Sequence, residues 1–185
     1  TRAILMSDTP SARGGVVHYP QPPTISGVLN CSAVGSNGWC IGNETLDLTA
    51  TEPQGALVLI SGDRDGIFFT CLPGLFCSEP LQEGIGTANY QATSINGTDS
   101  GSTDWKLDTL SPTLSGNLST SPNALNWFNT DVTLNATASD ATSGLATLQS
   151  SLDNANWTDR TSPLALIFTD GTYTAYLRAT DNAGN

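Results

Sequence analysis

The sequence predicts an all-β fold of two tandem β-sandwiches at residues 23–110 and 111–185, preceded by an extended segment at 1–22. Three observations carry that expectation. The first is an internal duplication: Pro23-Thr24-Ile25-Ser26-Gly27 is echoed by Pro112-Thr113-Leu114-Ser115-Gly116. Further echoes pair Asn37-Gly38-Trp39 with Asn126-Trp127, Leu46 to Thr51 with Val132 to Thr137, and Gln91-Ala92-Thr93 with Arg178-Ala179-Thr180. Four blocks in one order, at offsets of 86 to 89 residues, mark a tandem repeat of small units. The second observation is compositional: Ser and Thr number 44 of 185 residues and only 12% are charged, a polar, turn-rich balance suited to extracellular all-β chains. The third is patterning, with short alternating runs about ten residues apart, turn residues between them and no helical periodicity.

The elements follow in order. Residues 1–22 hold two apolar runs, Ala3-Ile4-Leu5-Met6 and Val16-Val17-His18-Tyr19, separated by a Pro/Gly turn region. The first repeat reads as strands near 24–29, 44–51, 56–61, 67–71, 87–94 and 103–109, with Leu46, Leu48 and Ala50 on one face of the second. The second repeat reads as strands near 113–118, 131–138, 145–152, 164–169 and 172–180. In the last of these Tyr173, Ala175, Leu177 and Ala179 share a face. Trp39 and Trp127 stand at matched positions and are expected in the two cores; Trp105 and Trp157 are open to sealing a junction or stacking on a glycan.

Bulk properties exclude several function classes. A net charge of −11 with six basic residues argues against nucleic acid, which needs clustered Lys or Arg; calcium or a basic surface suits the chain better. No run is long enough to insert in a membrane, and the start at Thr1 reads as a processed or excised segment. Four cysteines in two close pairs favour disulfides Cys31 to Cys40 and Cys71 to Cys77, and an extracellular or cell-surface setting. Six N-x-Ser/Thr acceptors, Asn30, Asn43, Asn96, Asn117, Asn135 and Asn156, are candidate glycosylation sites. His18 is the only histidine, and no nucleophile elbow or phosphate loop accompanies it, so the chain is not expected to be an enzyme and needs no cofactor, calcium aside.

Leu110-Ser111-Pro112-Thr113, Asn126-Trp127-Phe128, Asp140-Ala141-Thr142-Ser143-Gly144, Ser151-Leu152-Asp153 with Trp157, and Ala179-Thr180-Asp181-Asn182-Ala183-Gly184-Asn185 resemble the bacterial Ig-like repeats of large surface and secreted proteins. The resemblance covers nearly all of 111–185. It is looser over 23–110, where Ser94-Ile95-Asn96-Gly97 stands in place of Asp181-Asn182-Ala183-Gly184. It implies Ig-like sandwiches serving as stalks, spacers or adhesive modules, without catalysis.

If Thr93 matches Thr180, nothing in the second repeat corresponds to the strand near 103–109. That sandwich is expected to lack its last strand and to expose an apolar groove with unpaired backbone. Either more chain follows residue 185, or Ala3, Ile4, Leu5, Met6, Val16 and Val17 form a donor strand for a neighbouring copy, a head-to-tail contact that builds fibres. Calcium is a candidate at Asp63 and Asp65, which otherwise form a hairpin turn, and at Asp140 and Asp181, which flank loops at one end of the second sandwich. The expected role is a structural subunit of an extracellular fibre, sheath or adhesin, whose partners are its own copies or neighbouring Ig-like repeats. The alternative is a spacer or glycan-binding module of a secreted hydrolase.

Overall fold

Alternation of apolar and polar residues dictates the first strands. In β2, Glu44–Thr51, Leu46, Leu48 and Ala50 are buried while Asp47 and Thr49 turn outward. The computed structural model describes residues 19–185; the segment carrying Ala3 to Met6, Val16, Val17 and His18 lies outside them. The first unit comprises β1 Thr24–Cys31, β2, β3 Leu59–Arg64, β4 Ile67–Thr70, β5 Phe76–Pro80, β6 Gly84–Ser94 and β7 Gly97–Leu107. The second comprises β8 Thr113–Leu118, β9 Val132–Ser139, β10 Leu145–Ser151, β11 Thr158–Arg160, β12 Leu164–Phe168 and β13 Tyr176–Asp181. Among the described residues no helix is long and apolar enough to cross a membrane.

All named pairings are antiparallel. In the first unit the sheet β1-β2-β5 accompanies the sheet β4-β3-β6-β7, and one core of residues from both sheets lies between them. In the second unit β8-β9-β12 accompanies β11-β10-β13. The two orders correspond strand for strand, β1 to β8 and so on through β6 to β13, until β7, which has no counterpart among the described residues. Both units are Ig-like sandwiches.

The packing differs on the two sides of this comparison. Ala88, Tyr90 and Ala92 of β6 are buried, whereas the matched Ala175, Leu177 and Ala179 are only half-buried. Ile25 and Leu29 of β1 pack against the first core, but the matched Leu114 and Leu118 of β8 are 39% and 46% exposed. The buried core cluster contains fourteen residues in the first unit and four (Ala136, Ala138, Leu148 and Leu164) in the second. A fully buried leucine stabilises by about 2 kcal/mol, so the second unit is the less firmly held.

Several sequence expectations are corrected by the pairing. β5, in Phe-Cys-Ser-Glu-Pro, was not expected, and neither was the three-residue β11; a proline-ended and an all-polar run carry no alternation signal. β3 lies at Leu59–Arg64 rather than 56–61, because its polar end pairs with Asn89 and Ala88 of β6. β7 begins at Gly97, since its polar first half pairs along β6. β13 begins at Tyr176 rather than at 172. The matched stretch of the first unit, Ile85 to Thr87, pairs with β7 alone, so residues 172–174 have no strand beside them among the described residues.

Trp127 is a further correction: Trp39 is buried, but Trp127 is 60% exposed. Its loop closes on itself, with Trp127 N donating to Asn123 Oδ1 at 3.0 Å and Asn123 N to the Trp127 carbonyl at 2.8 Å. In the first unit the corresponding loop is held down by the Cys31–Cys40 disulfide.

Candidate functional site

Three aspartates from separate loops meet where the two units join. Asp108 directly follows β7 and is fully buried; Asp140 opens the loop after β9; Asp181 ends β13 and is 3% exposed. One carboxylate oxygen from each lies within 4.8 Å of the other two. Main-chain amides orient them. Oδ1 of Asp140 accepts from the amides of Thr142, Ser143 and Gly144 at 2.8–3.1 Å. Oδ1 of Asp181 accepts from Gly184 at 2.7 Å and Asn185 at 2.9 Å, a turn that Gly184 permits with φ +103°. Asp108 accepts from Leu110 through Oδ1 and, across the junction, from Ser143 through Oδ2 at 3.0 Å. Oδ2 of Asp181 is buried and has no hydrogen-bond partner.

The same loops fasten the units together. Ser36 N donates to the Ala183 carbonyl at 2.6 Å and Asn37 Nδ2 to the Asn182 carbonyl at 3.0 Å. Within the second unit Asn182 Nδ2 bonds the Ser143 carbonyl at 2.8 Å. The structure thus brings Asp140 and Asp181 together and adds Asp108, which sequence reasoning missed. Asp108 ends the first repeat, and its matched position falls beyond residue 185, so the duplication could not flag it. Asp63 and Asp65 lie elsewhere, in the β3–β4 hairpin. Asp65 and Gly66 both have positive φ, as a two-residue hairpin turn requires, and Asp63 Oδ2 accepts from Gly66 N at 2.8 Å. A second grouping of metal-ligand types, Cys71, Cys77 and Glu79, offers no thiolate because its cysteines form a disulfide.

The disulfides join Cys31 to Cys40 and Cys71 to Cys77. Of the six acceptor asparagines, Asn30, Asn43, Asn117, Asn135 and Asn156 are exposed, while Asn96 is half-buried and donates to Glu52 Oε1 at 2.6 Å. That bond is the largest cause holding the Glu52 carboxyl below its ordinary value. Trp105 is buried and donates to the Gln82 carbonyl. The Arg178 guanidinium lies over the Trp157 ring, 4.1 Å from its centroid, so that face is not open to a sugar. A cleft of about 460 Å³ beside β10 and β12 is lined by Ser150, Arg160, Phe168 and Tyr173 among others. The chain's single histidine, His18, lies outside the described residues.

The outer edge of β13 is the second notable feature. Where β6 has β7 alongside, β13 is paired only with β10 among the described residues.

No family model matches the chain, and no curated protein matches it. Among solved structures it is similar to the fibronectin(III)-like modules of Clostridium thermocellum CbhA. The identity is 14%, covering 86% of this chain and 88% of that one, with a TM-score of 0.33.

Proposed function

We propose that this chain is a non-catalytic structural module of an extracellular fibre, sheath or adhesin, and that copies join when the N-terminal segment of one adds a strand beside β13 of the next. One observation carries the reading: the outer edge of β13, beside which no strand lies among the described residues, flanked by half-buried Leu177 and Ala179 and by exposed Leu114 and Leu118. A strand added there would complete the sheet as β7 completes the first unit and would cover those side chains. The occupant is the segment holding Ala3-Ile4-Leu5-Met6 and Val16-Val17, which is long enough to supply six residues, the length of β13. A copy that fills its neighbour's edge leaves its own edge open to the next copy, so such a contact repeats without closing. Two disulfides and five exposed glycan acceptors support an oxidising, extracellular setting.

Electron microscopy of the full chain and of a chain lacking residues 1–20 tests this. Filaments from the first and discrete particles from the second are expected, with a peptide of residues 1–20 blocking growth. Equal assembly by both chains would overturn the donor role. If neither assembles and the peptide leaves the melting of the second unit unchanged, a spacer module is the better reading.

A further inference from the structure

We propose that Asp108, Asp140 and Asp181 hold one divalent cation of the calcium class, and that this ion fixes the orientation of the second unit on the first. Three carboxylates within 4.8 Å repel one another, and among the described residues no cationic side chain pairs with them: the one salt bridge there is Arg64 with Glu79, elsewhere in the first unit. Hydrogen bonding does not resolve the cluster either. Main-chain amides take Oδ1 of Asp140, Oδ1 of Asp181 and both oxygens of Asp108. Oδ2 of Asp181 is left sealed from water without a donor, in a residue 97% buried. A buried acceptor with no partner is costly unless a proton or a cation satisfies it.

The donor set selects the ion. All three ligands are carboxylate oxygens, which suit hard cations rather than zinc or copper. Calcium accepts six to eight oxygens in irregular geometry, whereas magnesium demands a near-ideal octahedron and keeps its waters, a poor match for carboxylates already held by their loops. Asp108 belongs to the end of the first unit and the other two to the second, so an ion bound by all three closes the junction as well as neutralising it.

The inference is independent of strand addition at β13. Its test is calorimetric titration of the chelator-treated full chain with CaCl2 and then MgCl2, beside Asp181→Asn and Asp108→Asn. One calcium per chain, weaker magnesium, and a loss of about tenfold or more in each variant are expected. Calcium should also slow proteolysis between Thr109 and Pro112 in the native sequence only. Near-UV circular dichroism confirms that the variants fold, and Asp140→Asn replaces either that does not. Absence of calcium heat together with calcium-independent cleavage would overturn the proposal. Unchanged affinity in folded variants would do so too, placing the ion elsewhere, as at Asp63 and Asp65.

Discussion

Asn185 donates its side-chain amide to the main-chain carbonyl of Asp108 at 2.9 Å, tying the loop after β13 to the residue that ends the first unit. The same loop gives the Ala183 carbonyl to Ser36 and the Asn182 carbonyl to Asn37. The junction is therefore built in large part from hydrogen bonds between loops, around the buried Ala183. Such a contact depends on close backbone approach and is sensitive to one added methyl group.

Gly35 supplies that sensitivity. A Cβ there would collide with the Ala183 carbonyl oxygen and with Ile41. Gly35→Ala should displace the loop after β13 without unfolding either sandwich. Faster proteolytic cleavage between Thr109 and Pro112, with the amide spectrum of the first core unchanged, is the expected result; an unaltered cleavage rate would show that the junction yields easily.

Leu48 and Leu134 are matched residues of β2 and β9, but Leu48 is fully buried and Leu134 only half-buried. Leu48→Ala should destabilise the first unit by about 3 kcal/mol, and Leu134→Ala the second by about 1 kcal/mol. Urea unfolding followed separately in the two units measures both. Equal losses would mean that the second sandwich is packed as tightly as the first.

Glu44 is buried at the start of β2, and its Oε2 has no partner. Desolvation by burial raises its carboxyl above the ordinary 4.5. The folded chain thus binds this proton more tightly than the unfolded chain does. The stabilisation is complete below pH 4.5 and is lost as the pH rises through the raised folded value, leaving an unpaired charge at neutral pH. Glu44→Gln should stabilise the first unit by about 1 kcal/mol at neutral pH, with the gain vanishing under acid conditions. Thermal melts across that range check the sign, and a gain independent of pH would remove burial of the charge as its cause.

Cys40 lies between the disulfide and the junction: its amide bonds the Lys106 carbonyl at 2.8 Å, and its carbonyl accepts from Asp108 N at 2.9 Å. Replacing Cys31 and Cys40 by serine should cost the first unit about 2.5 kcal/mol. It should also weaken calcium binding, because Asp108 loses part of its support. Calorimetry on the double variant, beside its denaturation curve, reads both effects; intact affinity would uncouple the disulfide from the aspartate cluster.

Alternation made some elements legible and left others hidden. β2, β8 and β9 lie within a residue or two of the expected spans because buried and exposed side chains alternate, or repeat blocks match. β5, β11 and the first half of β7 were hidden because their pairing rests on main-chain hydrogen bonds, with polar residues or a proline in the run. Trp127 misled because a matched position does not ensure matched burial; the disulfide present in one loop has no counterpart in the other.

By itself the sequence determined the all-β class, the duplication and the closeness of each cysteine pair, because each of these is local or periodic. Only the tertiary structure decided that Asp108 meets Asp140 and Asp181, that Trp127 turns outward and that Asp181 Oδ2 is stranded in the interior. The physical reason is that the aspartate cluster is assembled from three loops far apart in the chain. Their carboxylates converge only when both sandwiches have formed and the loop after β13 has closed on the end of β7.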